Sequence, residues 1–113
     1  MNPVEWRPGD QPILVFAGRY SQAEYWARNV ARLPNSRAFR YVRDNYDLRG
    51  RRGNRAVMVG SFWDRPSHLI YDLLEFAKLM ELEWLPDYDV RSSGEPPETS
   101  VGRYIRENHL RPR

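Results

Sequence analysis

Apolar residues along the chain fall into short continuous runs that are separated by more polar stretches. Residues 13–17 are all apolar, residues 56–59 form a similar run, and a glycine follows each run. Continuous runs of this length, rich in β-branched and aromatic residues, are typical of strands that are buried on both faces. Residues 39–43 alternate instead between apolar and polar positions, as strands at the edge of a sheet do. The pattern therefore predicts three strands, with the second one at an edge.

Two segments with the 3.6-residue period of amphipathic helices follow the first and third strands. The first begins with a capping-box pattern, a serine followed three positions later by a glutamate, at residues 21–24 and ends before Pro34. The second begins near Pro66, a residue tolerated at a helix start, and its apolar face reaches Met80. No glycine separates this helix from residues 82–85, which are either a fourth short strand or the last helical turn.

This order of elements predicts an α/β fold: a small Rossmann-like or flavodoxin-like sheet, mainly parallel, of three to four strands with flanking helices. We expect the first strand to lie in the centre, with the second and third on either side of it. Residues 1–85 are predicted to form this α/β domain. Residues 86–98 are predicted to be a linker because they are rich in Ser, Gly and Pro, and residues 99–113 are predicted to be a C-terminal helix and tail.

Composition excludes several classes of protein. The 113 residues suffice for one domain. No apolar run approaches the roughly 18 residues of a membrane-spanning helix, and the first ten residues lack the apolar segment of a secretory signal, so we expect a cytoplasmic protein. Cysteine is absent and His68 and His109 are the only histidines, so we expect no disulfide, no metal site and no cofactor.

Arginine supplies seventeen of the eighteen basic residues, an excess that suits phosphate recognition but that a GC-rich genome also produces. The position of the charge is more informative than its total of +3. Residues 37–55 hold seven arginines and two aspartates, a net charge of +5. Residues 66–113 hold six basic and nine acidic residues, a net charge of −3. The sequence therefore predicts a polarised surface.

Open parallel sheets bind ligands at the carboxyl ends of their strands, next to the point where the strand order reverses. Five residues that follow the three predicted strands are our candidate phosphate-binding residues: Arg19, Ser21, Arg43, Ser61 and Arg65. The alternative is that the arginines are solvated or pair with Asp44 and Asp64. Tyr20 replaces the second glycine of the dinucleotide fingerprint and no P-loop occurs, so we do not expect NAD or ATP bound in the usual manner.

A second candidate site is the turn-rich basic loop at residues 48–54. Its arginines and the one that follows are candidates for contacts with nucleic-acid phosphates: Arg49, Arg51, Arg52 and Arg55. The nearby rings of Phe39, Tyr41 and Tyr46 suit stacking on the bases of a single strand, unless strand alternation places them in the core.

Catalytic and metal-binding arrangements have less support. Ser61 as nucleophile with His68 as general base is the one catalytic pair that the pattern offers, and a histidine in the first turn of a helix is ordinary surface chemistry. The carboxylates of residues 81–89 favour a solvated acidic surface over a site for a hard metal ion. We therefore expect a protein without enzymatic activity.

Three strings in the chain resemble a group of small uncharacterised Rossmann-like proteins of actinobacterial phages: Leu14–Ala23, Tyr41–Asp44 followed by Leu48–Gly50, and Val59–Pro66. The resemblance covers roughly residues 12–80. It implies an accessory protein of a phage with a GC-rich host, which also accounts for much of the arginine excess. It implies no catalytic residue.

These observations predict a non-enzymatic, phage-type accessory binding module. It is expected to engage a phosphate-bearing ligand, a nucleic acid or a nucleotide, through the five candidate residues after the strands and through the basic loop. The alternative is a protein–protein adaptor or inhibitor that acts on a host or virion protein. Four tryptophans and seven tyrosines supply side chains that are typical of interfaces, and the predicted C-terminal helix supplies an amphipathic surface.

Overall fold

The structure is a computed structural model that describes residues 4–85 and Arg103. The elements in chain order are the strand β1 (Ile13–Phe16), the helix α1 (Tyr20–Tyr25) with its π-helical continuation (Trp26–Val30), β2 (Phe39–Tyr41), β3 (Arg55–Met58), α2 (Ser67–Leu79) and β4 (Glu83–Trp84). Three short 3₁₀ turns lie between them, at Ser36–Ala38, Asn45–Leu48 and Phe62–Asp64. The predicted linker 86–98 and the predicted helix within 99–113 lie outside the described residues, apart from Arg103.

The four strands form one sheet in the order β2-β1-β3-β4, and every neighbouring pair is parallel. The predicted α/β fold of the small Rossmann-like or flavodoxin-like kind is confirmed, as are the central place of β1 and the edge position of β2. β4 pairs with β3 through Arg55 opposite Glu83, so residues 82–85 contain a fourth strand and not a helical turn. The strand order reverses between β1 and β3, because β2 was added on one side of β1 and β3 on the other.

The continuous apolar run of β1 is explained by two cores, one on each face of the sheet. Leu14 and Phe16 pack against the apolar face of α2, whereas Ile13 and Val15 pack on the other face with α1 and its π-helical continuation. Successive side chains of a strand point to opposite faces, so a strand that is covered on both faces needs an apolar residue at every position. All four residues of β1 are fully buried.

The first helix begins at a different residue from the predicted one, whereas its end before Pro34 agrees with the prediction. It begins at Tyr20 with Arg19 as the N-cap, so the predicted capping box at residues 21–24 is wrong. The acceptor at the helix start is the side chain of Gln22, whose Oε1 accepts from the backbone N of Arg19 at 3.2 Å. The helix ends before Pro34 because Arg32 adopts a left-handed conformation with φ of 54°.

None of the helices in the described part of the chain is long and apolar enough to cross a lipid bilayer.

Candidate functional site

The candidate phosphate-binding residues all follow strands that end at the same edge of the sheet. We call this the carboxyl edge, and it comprises residues 17–21 after β1, 42–43 after β2 and 59–65 after β3. Because α1 packs on one face and α2 on the other, the connections that leave β1 and β3 diverge there. Such a divergence opens the crevice where open α/β sheets bind ligands.

The side chain of Gln22 occupies the centre of this crevice. Its Oε1 accepts hydrogen bonds from the backbone N of Gly18 at 2.9 Å, of Arg19 at 3.2 Å and of Ser61 at 3.2 Å. Its Nε2 donates to Ser61 Oγ at 2.9 Å. We call the three backbone N–H groups the amide cradle. A phosphate oxygen at such a cradle is the usual arrangement in nucleotide-binding folds, and here the chain's own amide oxygen holds that position.

Two glycines make room for Gln22. A Cβ atom at Gly18 would lie 2.6 Å from Ser61 Oγ and 2.9 Å from Gln22 Oε1. A Cβ atom at Gly60 would lie 2.6 Å from the Gln22 side-chain carbonyl carbon, and Gly60 also has a φ of +63° that disfavours other residues. The glycines that end the first and third apolar runs therefore serve the close approach of Gln22 as well as the turns.

A groove lies beside Gln22 between α1 and the end of β3, and we call it the α1 groove. Its volume is about 400 Å³. Ser21, Gln22 and Ser61 supply the polar groups of its lining. The rest of the lining is Tyr25, Trp26, Val30, Val59 and Gly60. None of these lining residues is charged. Tyr25 is 64% exposed at the groove, whereas Trp26 is buried.

The five candidate residues divide into two groups by what their side chains contact. Arg65 donates to the backbone O of Val42 at 2.6 Å and of Arg43 at 2.8 Å, and its guanidinium lies 5.4 Å from the centre of the Tyr41 ring. Ser61 is bound to Gln22. The side chains of Arg19, Ser21 and Arg43 are exposed, and within residues 4–85 they have no hydrogen-bond or ion-pair partner. The first two residues support the fold of the edge, and the last three are open to a ligand.

Aromatic rings form a cluster with Arg65 at the β2 side of the carboxyl edge. The Tyr20 ring lies 6.0 Å from the Tyr41 ring in an edge-to-face arrangement and 6.2 Å from the Phe39 ring. Phe39 is in the core, and Tyr20 is 45% exposed. Through Tyr41 this cluster reaches Arg65 and therefore Arg43. Tyr20, which replaces the second glycine of the dinucleotide fingerprint, is thus an exposed residue of the site.

The basic loop lies at the opposite edge of the sheet, since it precedes β3 and all strands are parallel. Three of its four candidate arginines are engaged within the fold. Arg51 donates to the side chain of Gln11, Arg52 pairs with Glu81, and Arg55 donates to the backbone O of Glu5 at 2.6 Å. Arg49 stacks 4.3 Å from the centre of the Tyr46 ring. The two predicted sites therefore form separate surfaces.

Asp47 organises the chain that leaves β2. Its carboxylate accepts from Arg40 Nε at 2.7 Å and from the backbone N of Arg43 at 2.8 Å and of Asp44 at 3.4 Å. Burial by itself raises the pKa of the Asp47 carboxyl, and the hydrogen bonds from Arg43 and Asp44 together with the Arg40 charge outweigh it, so the pKa lies below its ordinary value of 3.8. The ionised Asp47 thus fixes the backbone of Arg43 at the carboxyl edge.

The candidate catalytic pair, Ser61 and His68, does not form in the structure as a nucleophile and its base. Ser61 hydrogen bonds to the Gln22 amide, which is not a base, and His68 is an exposed residue of the first turn of α2. In the described part of the chain, no three His, Asp or Glu side chains come together as metal ligands would.

Two residues of the site, Gln22 and Tyr25, were not predicted from the sequence. An aromatic residue on the polar side of an amphipathic helix was the available signal for Tyr25.

The fold and the carboxyl edge define the class of this protein: a small α/β protein with an all-parallel four-stranded sheet and a crevice where the strand order reverses. No family model matches the chain, and comparison with curated proteins and with solved structures gives no significant match.

Proposed function

We propose that this protein is a non-enzymatic module that binds single-stranded nucleic acid at its carboxyl edge. The observation that carries the proposal is the contact of Tyr20 with Tyr41 at the carboxyl edge. Arg19 and Arg43 lie at the same edge, and their side chains are exposed and have no partner within residues 4–85. Arginines beside rings that bases can stack on are the combination that single-strand binding proteins use.

The two exposed arginines supply the phosphate contacts. A guanidinium group matches a phosphate with two parallel hydrogen bonds, and each neutralised phosphate releases condensed counterions. Arg19 follows the central strand and Arg43 follows the edge strand, so both lie at the carboxyl edge, as the aromatic cluster does. Arg65 fixes the position of Arg43, because its hydrogen bonds to the Val42 and Arg43 carbonyls hold the backbone there.

A single strand is favoured over a free dinucleotide because of Gln22. The amide cradle that would hold a pyrophosphate is filled by Gln22 Oε1, which accepts from all three of its N–H groups. A nucleotide bound in the usual way would have to displace a side chain that is fixed at four hydrogen bonds. Phosphates are therefore expected at the arginine side chains, outside the crevice.

The proposal is tested by fluorescence anisotropy with a labelled single-stranded oligonucleotide over a range of salt concentrations. Changing Arg19 and Arg43 together to alanine is expected to weaken binding at least tenfold and to reduce the slope of log K against log salt by about 1.4, or 0.7 for each lost phosphate contact. The matched control is the double change of Arg51 and Arg52 to alanine, which removes the same charge at the opposite edge and is expected to have a much smaller effect.

Two results would contradict the proposal. If the loop variant loses as much affinity as the edge variant, the basic loop and not the carboxyl edge is the nucleic-acid site. If the unchanged protein shows no salt-dependent binding to any single strand, it does not bind single-stranded nucleic acid and the proposal is wrong. Melting temperatures of both variants identify any loss that comes from unfolding.

The second candidate function is an adaptor that binds a host or virion protein. It is favoured by large apolar side chains that stand exposed away from the carboxyl edge, Tyr46 at 70% and Leu79 at 61%. A pull-down from nuclease-treated lysate of an actinobacterial host separates the two functions, since an adaptor keeps its partner after nuclease treatment. In either role the resemblance to phage proteins leads us to place the activity in the cytoplasm of an infected cell.

A further inference from the structure

The α1 groove lies next to the helix start that carries the exposed Arg19, but it differs from that arginine in chemistry. Arg19 precedes the groove residue Ser21 by two positions, and yet none of the lining residues is charged. About 400 Å³ lies within the range of roughly 300–1,000 Å³ for small-molecule pockets. A neutral groove beside a cationic surface suits the uncharged part of a ligand whose charged part lies on the arginines.

The hydrogen bonds between Gln22 and Ser61 show which polar atoms of the groove are donors. Because backbone N–H groups are donors, the Gln22 atom that faces the amide cradle must be Oε1, and the atom that faces Ser61 must be Nε2. Ser61 Oγ therefore accepts from Gln22, which leaves its own O–H free to donate. The second N–H of Gln22 Nε2 and the Ser21 O–H are further donors lining the groove. The groove thus offers hydrogen-bond donors to its occupant.

The remaining lining suits a flat ring. Tyr25 stands exposed at the groove, and Val30, Val59 and the buried Trp26 supply apolar surface. Base stacking on a tyrosine requires only one exposed ring face and works with every base.

We propose that the α1 groove is a base pocket that takes one unstacked nucleobase with carbonyl acceptors, such as thymine or uracil. This inference rests on the proposed function, since the arginines of the carboxyl edge would hold the phosphates of the same strand. The base would stack on Tyr25, and its carbonyl oxygens would accept from Ser61, Gln22 and Ser21.

Three strands of equal length and charge test the pocket: oligothymidylate, oligodeoxyadenylate, and an abasic deoxyribose-phosphate strand. The unchanged protein is expected to bind oligothymidylate about tenfold more tightly than the abasic strand, with oligodeoxyadenylate between them. An oligouridylate arm shows whether RNA is taken as well as DNA. Because bases can also stack on Tyr20 and Tyr41, a preference over the abasic strand supports the pocket only where Tyr25→Ala reduces it.

Tyr25→Ala is the decisive variant, because it removes the stacking ring without changing charge. We expect it to weaken oligothymidylate binding about tenfold and to leave abasic-strand binding unchanged. Leu79→Ala removes an equally exposed apolar side chain of α2, outside the groove and the carboxyl edge, so it is the control and is expected to change neither affinity. Ser21→Ala is expected to reduce the preference for oligothymidylate over oligodeoxyadenylate.

The failure of the pocket and the failure of the proposed function give different results. If the abasic strand binds as tightly as oligothymidylate, or if Tyr25→Ala weakens both strands equally, the groove does not take a base, although the edge still binds the strand. If no strand binds, the proposed function fails together with the pocket. If Leu79→Ala matches the effect of Tyr25→Ala, the loss does not come from the groove and the pocket is overturned.

Discussion

Gln22 and Ser61, which are 39 positions apart in the chain, hydrogen bond to each other in both directions. Gln22 Nε2 donates to Ser61 Oγ at 2.9 Å, and Ser61 N donates to Gln22 Oε1 at 3.2 Å. The pair joins the start of α1 to the end of β3 across the crevice where the strand order reverses. A crevice that other folds leave open for a ligand is here closed by a side chain of the protein itself.

Gln22→Ala is expected to lower the free energy of unfolding by about 2 kcal/mol. The change leaves the N–H groups of Gly18, Arg19 and Ser61 without their acceptor, and an unsatisfied, partly buried polar group costs about 1–3 kcal/mol. Urea unfolding followed by circular dichroism measures the difference. Ser21→Ala is the matched control, because Ser21 is the exposed neighbour of Gln22 and is expected to stay within about 0.5 kcal/mol of the unchanged protein.

Gln22→Glu separates the acceptor role of residue 22 from its size. A carboxylate still accepts from the three backbone N–H groups, and the Ser61 hydroxyl can reverse and donate to it. We therefore expect Gln22→Glu to retain most of the stability that Gln22→Ala loses. Equal losses in the two variants would show that the hydrogen bonds to Oε1 do not stabilise the fold.

Gly60→Ala is expected to destabilise the protein through its coupling to Gln22. Forcing alanine into the left-handed conformation costs about 1–2 kcal/mol, and the new Cβ would also press on the Gln22 side chain. Truncating residue 22 to alanine removes part of that contact. A double-mutant cycle should therefore give a combined loss smaller than the sum of the two single losses, whereas strict additivity would mean that the contact costs nothing.

Arg65 is expected to stabilise the fold and not to contact the ligand itself. Hydrogen bonds from a charged donor are worth about 1.5–3 kcal/mol, so Arg65→Ala should lower the free energy of unfolding by about 2 kcal/mol. Arg65→Lys should recover only part of this, since an ammonium group lacks the planar fork that reaches two carbonyls. Arg43→Ala, at an exposed side chain, should leave the free energy of unfolding nearly unchanged. If Arg65→Ala leaves the free energy of unfolding nearly unchanged in urea, Arg65 does not stabilise the fold and its guanidinium is available to a ligand.

The sheet could be predicted from the sequence because the burial of each strand determines the pattern of apolar and polar residues along it. A strand covered on both faces must be apolar throughout, and residues 13–17 are. The edge strand β2 has only one neighbour, and its exposed Arg40 marks it. Glycines at positions 18 and 60 marked the strand ends correctly, because a Cβ atom at either position would lie less than 3.0 Å from Gln22.

The hydrogen bonds within the site could not be predicted, since they join parts of the chain that are distant in sequence. The local pattern at Ser21 satisfied the rules for a helix cap, but Gln22 reaches both Arg19 and Ser61 and so serves two loops at once. Arg65 had the position expected of a ligand-binding residue, but the free carbonyls at the end of β2 lie within its reach. Local spacing carries no information on either contact.

The uncertainty over β4 has a separate cause, and it leads to a prediction. The turn after α2 has the hydrogen bonds of a glycine-ended helix, Glu81 N to Lys78 O at 3.0 Å and Leu82 N to Ala77 O at 3.3 Å. The left-handed position, with φ of 52°, is held by Glu81. Because the residue that usually marks such a helix end is absent, the sequence did not separate the helix from the strand.

Glu81→Gly is therefore expected to raise the free energy of unfolding by about 0.5–1 kcal/mol, since glycine adopts this conformation without strain. The gain is net of the exposed ion pair with Arg52, which is worth about 0–1 kcal/mol. Glu81→Ala is the matched control: it removes the same ion pair but keeps a Cβ, and it should destabilise slightly. Thermal and urea unfolding of the two variants give the comparison, and a Glu81→Gly variant no more stable than Glu81→Ala would contradict the strain.

The stability of the protein is expected to depend on pH through Asp47. The Asp47 side chain is 12% exposed, and its pKa in the folded state is lowered below the ordinary value of 3.8. The unfolded chain therefore binds a proton at a higher pH than the folded chain does, so protonation favours unfolding. The contribution of the ionised carboxylate is fully present above about pH 5 and is lost as the pH falls through the folded-state pKa.

Asp47→Asn tests this dependence, because it replaces the carboxylate by a group of similar shape that does not ionise. At pH 7 the variant is expected to be less stable by about 1–2 kcal/mol, since the amide weakens the bonds from Arg40 and from the backbone of Arg43. At acid pH, where Asp47 of the unchanged protein also becomes neutral, the difference should shrink. Urea unfolding at a series of pH values from 7 down to about 2.5 measures it. A difference that stays the same across the series would mean that Asp47 stabilises the fold by its shape and not by its charge.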